Sequence, residues 1–263
     1  MEQDPRIWIA ALRGSCERLA ALVATLTPEQ LRAQSYCTDW TNAQVLSHLG
    51  SGAEIAMLML PGALGQAEPV GREAFEPVWD SWNAKSPDDQ AADALAADEK
   101  HVRALEQLTD AELAGVSLAF FGMTLDAAGM VRLRLGEHAL HTWDIEVFSD
   151  PSATVAADAA GLLIDNVPEF LAPRLGKPQD EPFAARIRTT GPDRDYLLTA
   201  AETVTMADWP ADGAAPGEVS DVTMPAEALL RLSYGRMDPG HTPPQVQADP
   251  AAVGRLREIF PGF

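Results

Sequence analysis

Cysteine is scarce in this chain: Cys16 and Cys37 are the only two among 263 residues. No CxxC pair is present, and without a secretory signal two thiols read as free groups in a reducing compartment. Basic residues are also few. Lys and Arg number 19 against 39 Asp and Glu, giving a formal net charge of −20. Such a surface repels nucleic-acid phosphates and anionic lipid headgroups, so neither is an expected partner. No apolar run approaches the roughly 18 residues of a membrane span. The opening MEQDPRIWIAAL lacks the basic start and unbroken apolar stretch of a signal peptide, so the expected location is the cytoplasm. Four catalytic and nucleotide-binding signatures are missing too: GxSxG, the P-loop, GxGxxG and HExxH.

What remains is an ordinary globular composition, 46% hydrophobic, in a length that suits two domains. The first part reads as helices. Asp4 and Pro5 open one, and Trp8, Leu12, Leu19, Leu22, Val23 and Leu26 follow helical spacing. Thr27, Pro28 and Glu29 begin a short helical piece. Thr41 with Gln44 makes a capping box for a second long helix, predicted to stop at Pro61 and Gly62. Phe75, Val78, Trp79 and Trp82 form a short helical patch. Ser86 and Pro87, followed by Asp88 and Asp89, start a third long helix reaching about Leu108. Residues 116–124 are ambiguous between helix and extended chain, and residues 125–148 form the fourth long helix. Four such helices predict a bundle, whose interior commonly holds metal ligands. A linker at residues 149–152 then leads to a helix over 156–175. Beyond it lie strand-like alternations at 184–190, 196–200, 202–206, 219–223 and 246–248, a loop at 210–217, and helices at 225–234 and 249–260. The expected fold class is α+β: a helical bundle over 1–150, then a smaller α+β domain over 151–263 with a mostly antiparallel sheet.

Chemistry concentrates in two segments, residues 39–54 (DWTNAQVLSHLGSGAE) and 132–147 (RLRLGEHALHTWDIEV). Glu137 and His141 are four apart and share one helical face. His48 follows the apolar Val45 and Leu46 and is placed to point into the bundle from the facing helix. Together the three offer a His-Glu-His metal site with an open position, the hallmark of a catalytic metal. Their donors suit zinc, with iron, nickel and manganese as alternatives. On spacing alone, a simple surface pair of Glu137 and His141 competes with this reading, and His138 competes as a ligand. Asp144, three residues past His141, is placed to orient a ligand. His101, in the charged run AADEKHVRALE, reads as solvent-facing, and His241 as a loop residue. Cys16 reads as packing; for Cys37, burial is preferred over an approach to the site. Trp40 and Trp143 read as core residues able to wall a pocket.

The run from Cys37 through Asp39, Trp40 and Thr41 to Val45, Leu46, His48 and Leu49 resembles the start of DinB-like metal-binding bundles. More narrowly it is similar to the mycothiol-dependent maleylpyruvate isomerase family, and the segment with Glu137, His141, Trp143 and Asp144 resembles that family's second ligand helix. The later part, with Val222 to Pro225, Leu229 to Leu232, Gly235, Arg236 and the ending from Arg255 to Phe263, resembles the family's sterol-carrier-like C-terminal domain. The resemblance implies metal ligation by His48, Glu137 and His141 and not by His138. It implies zinc or another divalent metal, mycothiol as co-substrate, and an arginine for the substrate carboxylate, best matched by Arg236 with Arg231 as second candidate. The implied activity is cis-trans isomerisation, in which a thiolate adds to an activated double bond, the bond rotates and the thiolate leaves, or else thiol transfer to a small electrophile such as maleylpyruvate. A metal-dependent hydrolase and a non-catalytic small-molecule binding protein are the alternatives. The implied partners are substrate and thiol alone, with the chain a monomer or homodimer.

Overall fold

Side-chain caps set where the helices begin. In a computed structural model that describes residues 4–120, 122–214 and 217–262, the Arg6 N–H donates to Asp4 Oδ1 at 2.9 Å and opens α1 (Pro5–Val23). Phe121, Ala215, Pro216 and Phe263, which belong to stretches discussed above, lie outside the described residues. Reciprocal capping boxes, Thr27 with Gln30 and Thr41 with Gln44, start α2 (Pro28–Arg32) and α3 (Asn42–Ala63). After α4 (Glu76–Asn83), Ser86 caps α5 (Pro87–Glu106). Then come α6 (Asp110–Gly115) and a small antiparallel hairpin of β1 (Leu118–Phe120) and β2 (Met123–Leu125), which resolves the ambiguous stretch as extended chain. Asp126 caps α7 (Ala127–Ser149).

Pro61 does not end α3 as predicted: the helix runs through it to Ala63. A proline so close to the C-terminus removes a single ladder bond, and the last turn still closes with Leu64 N–H on the Leu60 carbonyl at 3.0 Å.

The chain divides into two compact units, Met1–Ala153 and Thr154–Phe263. In the first, α3 packs on α5 and α7, and α1 packs on the same two helices, which closes a four-helix ring. Leu12, Leu19, Val45, Leu46, Leu49, Ala94, Val102, Leu135 and Ile145 fill it, all essentially inaccessible. Among the described residues no helix is long and apolar enough to cross a membrane.

In the second unit, the single helix expected over 156–175 is broken. It comprises α8 (Ala157–Leu163), a π-helical turn over Val167–Leu171, and α9 (Ala172–Leu175). Pro168 and Pro173 each remove a backbone donor that a continuous α-helix needs. The strands are β3 (Phe183–Thr190), β4 (Arg194–Ala200), β5 (Val204–Asp208), β6 (Ser220–Pro225) and β7 (Gln247–Ala248). They form one sheet in the order β5-β4-β3-β6-β7. Only the β3–β6 pairing is parallel, in a register that sets Ile187 beside Val222. Tyr196, Leu198 and Ala200 alternate inward along β4. The remaining helices are α10 (Ala226–Ser233) and α11 (Pro250–Ile259); every residue of α10 is buried. The molecule is thus an α+β protein, a helical bundle followed by a small, mostly antiparallel sheet.

Candidate metal centre

Two helices from distant parts of the chain meet at the ring's α3–α7 seam. The Thr41 cap fixes the phase of α3, so Val45, Leu46 and Leu49 point inward and His48 stays at the rim, its side chain 37% exposed. On α7, Glu137 lies at the same rim and His141 one turn further on. His48 Nε2 is 3.2 Å from Glu137 Oε2, and His141 Nε2 is 3.6 Å from that same oxygen. The imidazole centroids are 4.8 Å apart at 72°.

These separations fit a metal. A tetrahedral ion with bonds of about 2.1 Å holds its ligand atoms about 3.4 Å apart. The donor atoms of the three residues all lie within 4.8 Å of one another. Two imidazole nitrogens and a carboxylate oxygen are the donor chemistry of catalytic zinc sites.

The second His141 nitrogen is fixed by a buried acid. His141 Nδ1 is 2.7 Å from Asp144 Oδ2, and Cys37 Sγ donates to that oxygen at 3.2 Å. Because a carboxylate only accepts, Nδ1 carries the proton and Nε2 is turned toward Glu137. The backbone joins in: the Tyr36 N–H donates to the Asp144 carbonyl, and the Tyr36 ring meets Trp143 edge-on at 4.8 Å. Burial opposes a charge on His141, but hydrogen bonds to Asp144, Cys37 and Glu137 outweigh it and push the imidazolium up to about 10. Burial likewise opposes the Glu137 carboxylate, and hydrogen bonds from His141 and His48 overcome it, holding the group well below the usual carboxylate range. Trp40 flanks the site, its ring 5.0 Å from His48 and 6.1 Å from His141.

Sequence reasoning put Trp143 and Cys16 in the core, where both lie. Cys37 departs from the expected simple burial: it is half-buried and bonded to Asp144 beside the site. His101 is corrected outright. It is 4% exposed rather than solvent-facing, because the face of α5 that carries it points into the bundle with Gln90 and Asp98.

His138 turns away from the rim into a buried polar cluster that sequence reasoning missed. Its Nδ1 is 2.8 Å from Ser15 Oγ, and its Nε2 is 3.1 Å from Asp98 Oδ2. Arg134 Nη2 donates to Asp98 Oδ1 at 2.6 Å and to the Leu49 carbonyl at 2.7 Å. Ser15, His138 and Asp98 are each at most 2% exposed, so this serine–histidine–aspartate line has no access to a substrate. Cys16 sits beside it with its thiol pushed up by burial to about 12. With Arg134 already on Asp98, the group does not suit a cation.

In the second unit, Arg236 is 8% exposed; its Nη1 donates to the Tyr234 carbonyl at 3.2 Å and its guanidinium lies 5.9 Å from the Tyr234 ring. Arg231 is bound on every side. Nε and Nη2 hold Glu227 at 2.7 and 3.2 Å, and Nη1 donates to the Arg236 and His241 carbonyls at 3.0 and 2.9 Å. It braces the loop carrying Arg236. His241 lies on the Pro239–His241 turn, paired with Asp238 at 2.7 Å.

The fold defines a class of two-unit α+β proteins in which a helical bundle precedes a small mixed sheet. Within it, the chain belongs to the mycothiol maleylpyruvate isomerase N-terminal domain family, whose model matches residues 12–146. That span contains His48, Glu137 and His141. A putative metal-dependent hydrolase of Geobacillus thermodenitrificans (strain NG80-2) is 32% identical over 117 residues. The match spans 42% of this chain and 64% of that protein, less than two thirds of its length. Two crystal structures share the fold: a mycothiol-dependent maleylpyruvate isomerase and a histidine-to-alanine mutant of it. Each gives a TM-score of 0.68 at 13% identity, with 94% of both chains covered.

Proposed function

We propose that the protein is a divalent-metal enzyme that uses a low-molecular-weight thiol, mycothiol, either to isomerise a small electrophilic carboxylate such as maleylpyruvate or to transfer the thiol to it. The observation that carries this reading is the convergence of His48 Nε2 and His141 Nε2 on Glu137 Oε2, each at tetrahedral-edge spacing from it, on a half-exposed rim. Three protein ligands leave a position for an exogenous group. A bound cation, zinc by its donor set, would supply the positive charge that keeps a thiol ionised at neutral pH.

In this reading His48, Glu137 and His141 hold the ion. Asp144 keeps Nδ1 of His141 protonated, leaving Nε2 as the nitrogen that would hold a cation. The Trp40 face excludes water from one side of the site. Arg236 is the proposed carboxylate contact of the second unit. The reading places the enzyme in the cytoplasm, as a monomer or homodimer, with small-molecule partners only. The Geobacillus relative's name favours one second reading, a metal-dependent hydrolase, in which water takes the thiol's place.

Elemental analysis of the purified protein tests the metal, and turnover of maleylpyruvate with and without mycothiol tests the reaction. We expect about one equivalent of zinc, lost in His141→Ala with helix content unchanged, and turnover only with thiol. Full metal retention in His141→Ala overturns the ligand assignment. Thiol-independent hydrolysis of an ester or amide favours the second reading.

A further inference from the structure

One cation sits beside the candidate metal centre with most of its hydrogen-bonding capacity unspent. Arg134 lies one helical turn before Glu137 on α7, and Gly52 lies one turn after His48 on α3. The two meet: a Cβ built on Gly52 comes within 2.9 Å of Arg134 Nη1. The guanidinium therefore packs against α3 in the same α3–α7 seam that carries the His48–Glu137 contact.

Its donors are used unevenly. Among the described residues, every hydrogen bond of the guanidinium runs from Nη2, to Asp98 Oδ1 and to the Leu49 carbonyl. Nε is sealed from solvent with no partner. The side chain is nine-tenths buried, at 10% exposure. Asp98 and Leu49 hold one edge of the fork rigid, while Nη1 stays unbonded over the bare Gly52 backbone. Any residue but glycine at position 52 would crowd that space. In a chain of net charge −20, a fixed guanidinium is also the local exception that an anionic ligand requires.

The geometry points to Arg134 as an anion-binding residue of the helical unit itself, taking a carboxylate of the substrate next to the metal centre. The carboxylate accepts from Nη1 while Nη2 remains on Asp98. The metal part of this picture rests on the proposed function above, but anion binding by Arg134 does not need the ion.

The test is calorimetric titration of maleate, with the neutral diamide of maleic acid as control, into metal-free and zinc-loaded protein. Gly52→Ala is the principal variant. It keeps every charge and improves helix propensity, yet drives a methyl group into Nη1. The double variant Asp98→Asn/Arg134→Gln removes the cation without leaving a buried carboxylate unpaired. We expect maleate, and not the diamide, to bind metal-free wild type, and both variants to weaken binding about tenfold or more. Zinc content should be unchanged in Gly52→Ala. Equal maleate affinity in wild type and both variants overturns the assignment, as does equal binding of the diamide. Absence of zinc from the wild type counts against the metal reading alone, since the metal-free titration still decides the role of Arg134.

Discussion

His101 makes the bundle acid-sensitive by an amount that follows from its environment. The imidazole is 4% exposed inside the ring. Burial, reinforced by the nearby Arg134 charge and only partly offset by Asp98, lowers it from 6.5 to about 3. In the unfolded chain it takes up a proton near pH 6.5; in the folded chain it stays neutral until about 3. The unfolded state therefore binds the extra proton throughout that window, and stability is lost as pH falls from 6.5 toward 3. The slope approaches about 1.4 kcal/mol per pH unit, and the loss by pH 5 is about 2 kcal/mol. Against a typical total of about 5–15 kcal/mol, that is a large fraction. Urea unfolding at pH 7.5 and 5.0 measures it. Five of the six tryptophans, Trp8, Trp40, Trp79, Trp82 and Trp143, lie in the bundle unit and report its unfolding by fluorescence. The comparison is with His101→Gln, neutral at both pH values, so that other titrations cancel. The stability gap between the two proteins should shift by about 2 kcal/mol in favour of the variant on acidification. Parallel pH profiles would refute the reasoning.

Gly50→Ala should destabilise the bundle by about 1–3 kcal/mol, read as a lower melting temperature, because a Cβ there falls 2.2 Å from Trp82 Cη2 and 2.9 Å from the Ala94 backbone. An unchanged melt would mean that α3 and α5 can separate at little cost. Asp144→Asn should weaken zinc binding about 10–100-fold by releasing the His141 ring, and chelator competition showing wild-type affinity would remove Asp144 from the site. Arg231→Met should cost about 3–5 kcal/mol by leaving Glu227 buried and unpaired; a second unit that melts at the wild-type temperature contradicts that.

Helix starts were legible because their causes are local. Asp4, Thr41 with Gln44, and Ser86 each cap within three or four residues of themselves, so short sequence windows contain the whole interaction. Helix ends were less so: Pro61 looks like a stop, yet its cost depends on how much helix follows it. Of the candidate centre, the Glu137–His141 pair could be read from spacing, as could the place of Asp144 behind it. The pairing of His48 with Glu137 joins residues 89 apart; the apolar run before His48 suggested it, and the family likeness singled out these ligands over His138. Nothing local marked Arg134, Asp98 or His101. In a charged helix such as α5, which face turns inward depends on what waits on the neighbouring helices, and Ser15, His138 and Leu49 come from three of them.

That last arrangement has a consequence for the uniqueness of the fold. Ser15 on α1, His138 and Arg134 on α7, Asp98 on α5 and the Leu49 carbonyl on α3 form one hydrogen-bonded line touching every helix of the ring. Leucine and valine tolerate a helix that slides or rotates by a residue, since one apolar contact replaces another at little cost. A buried carboxylate and guanidinium do not, because each misaligned arrangement strands a charge without its partner. The polar line therefore acts as an alignment key: it contributes little to how strongly the bundle holds together and much to which single alignment it holds. Since Glu137 and His141 ride on the helix that carries His138, the same key sets the height at which they meet His48.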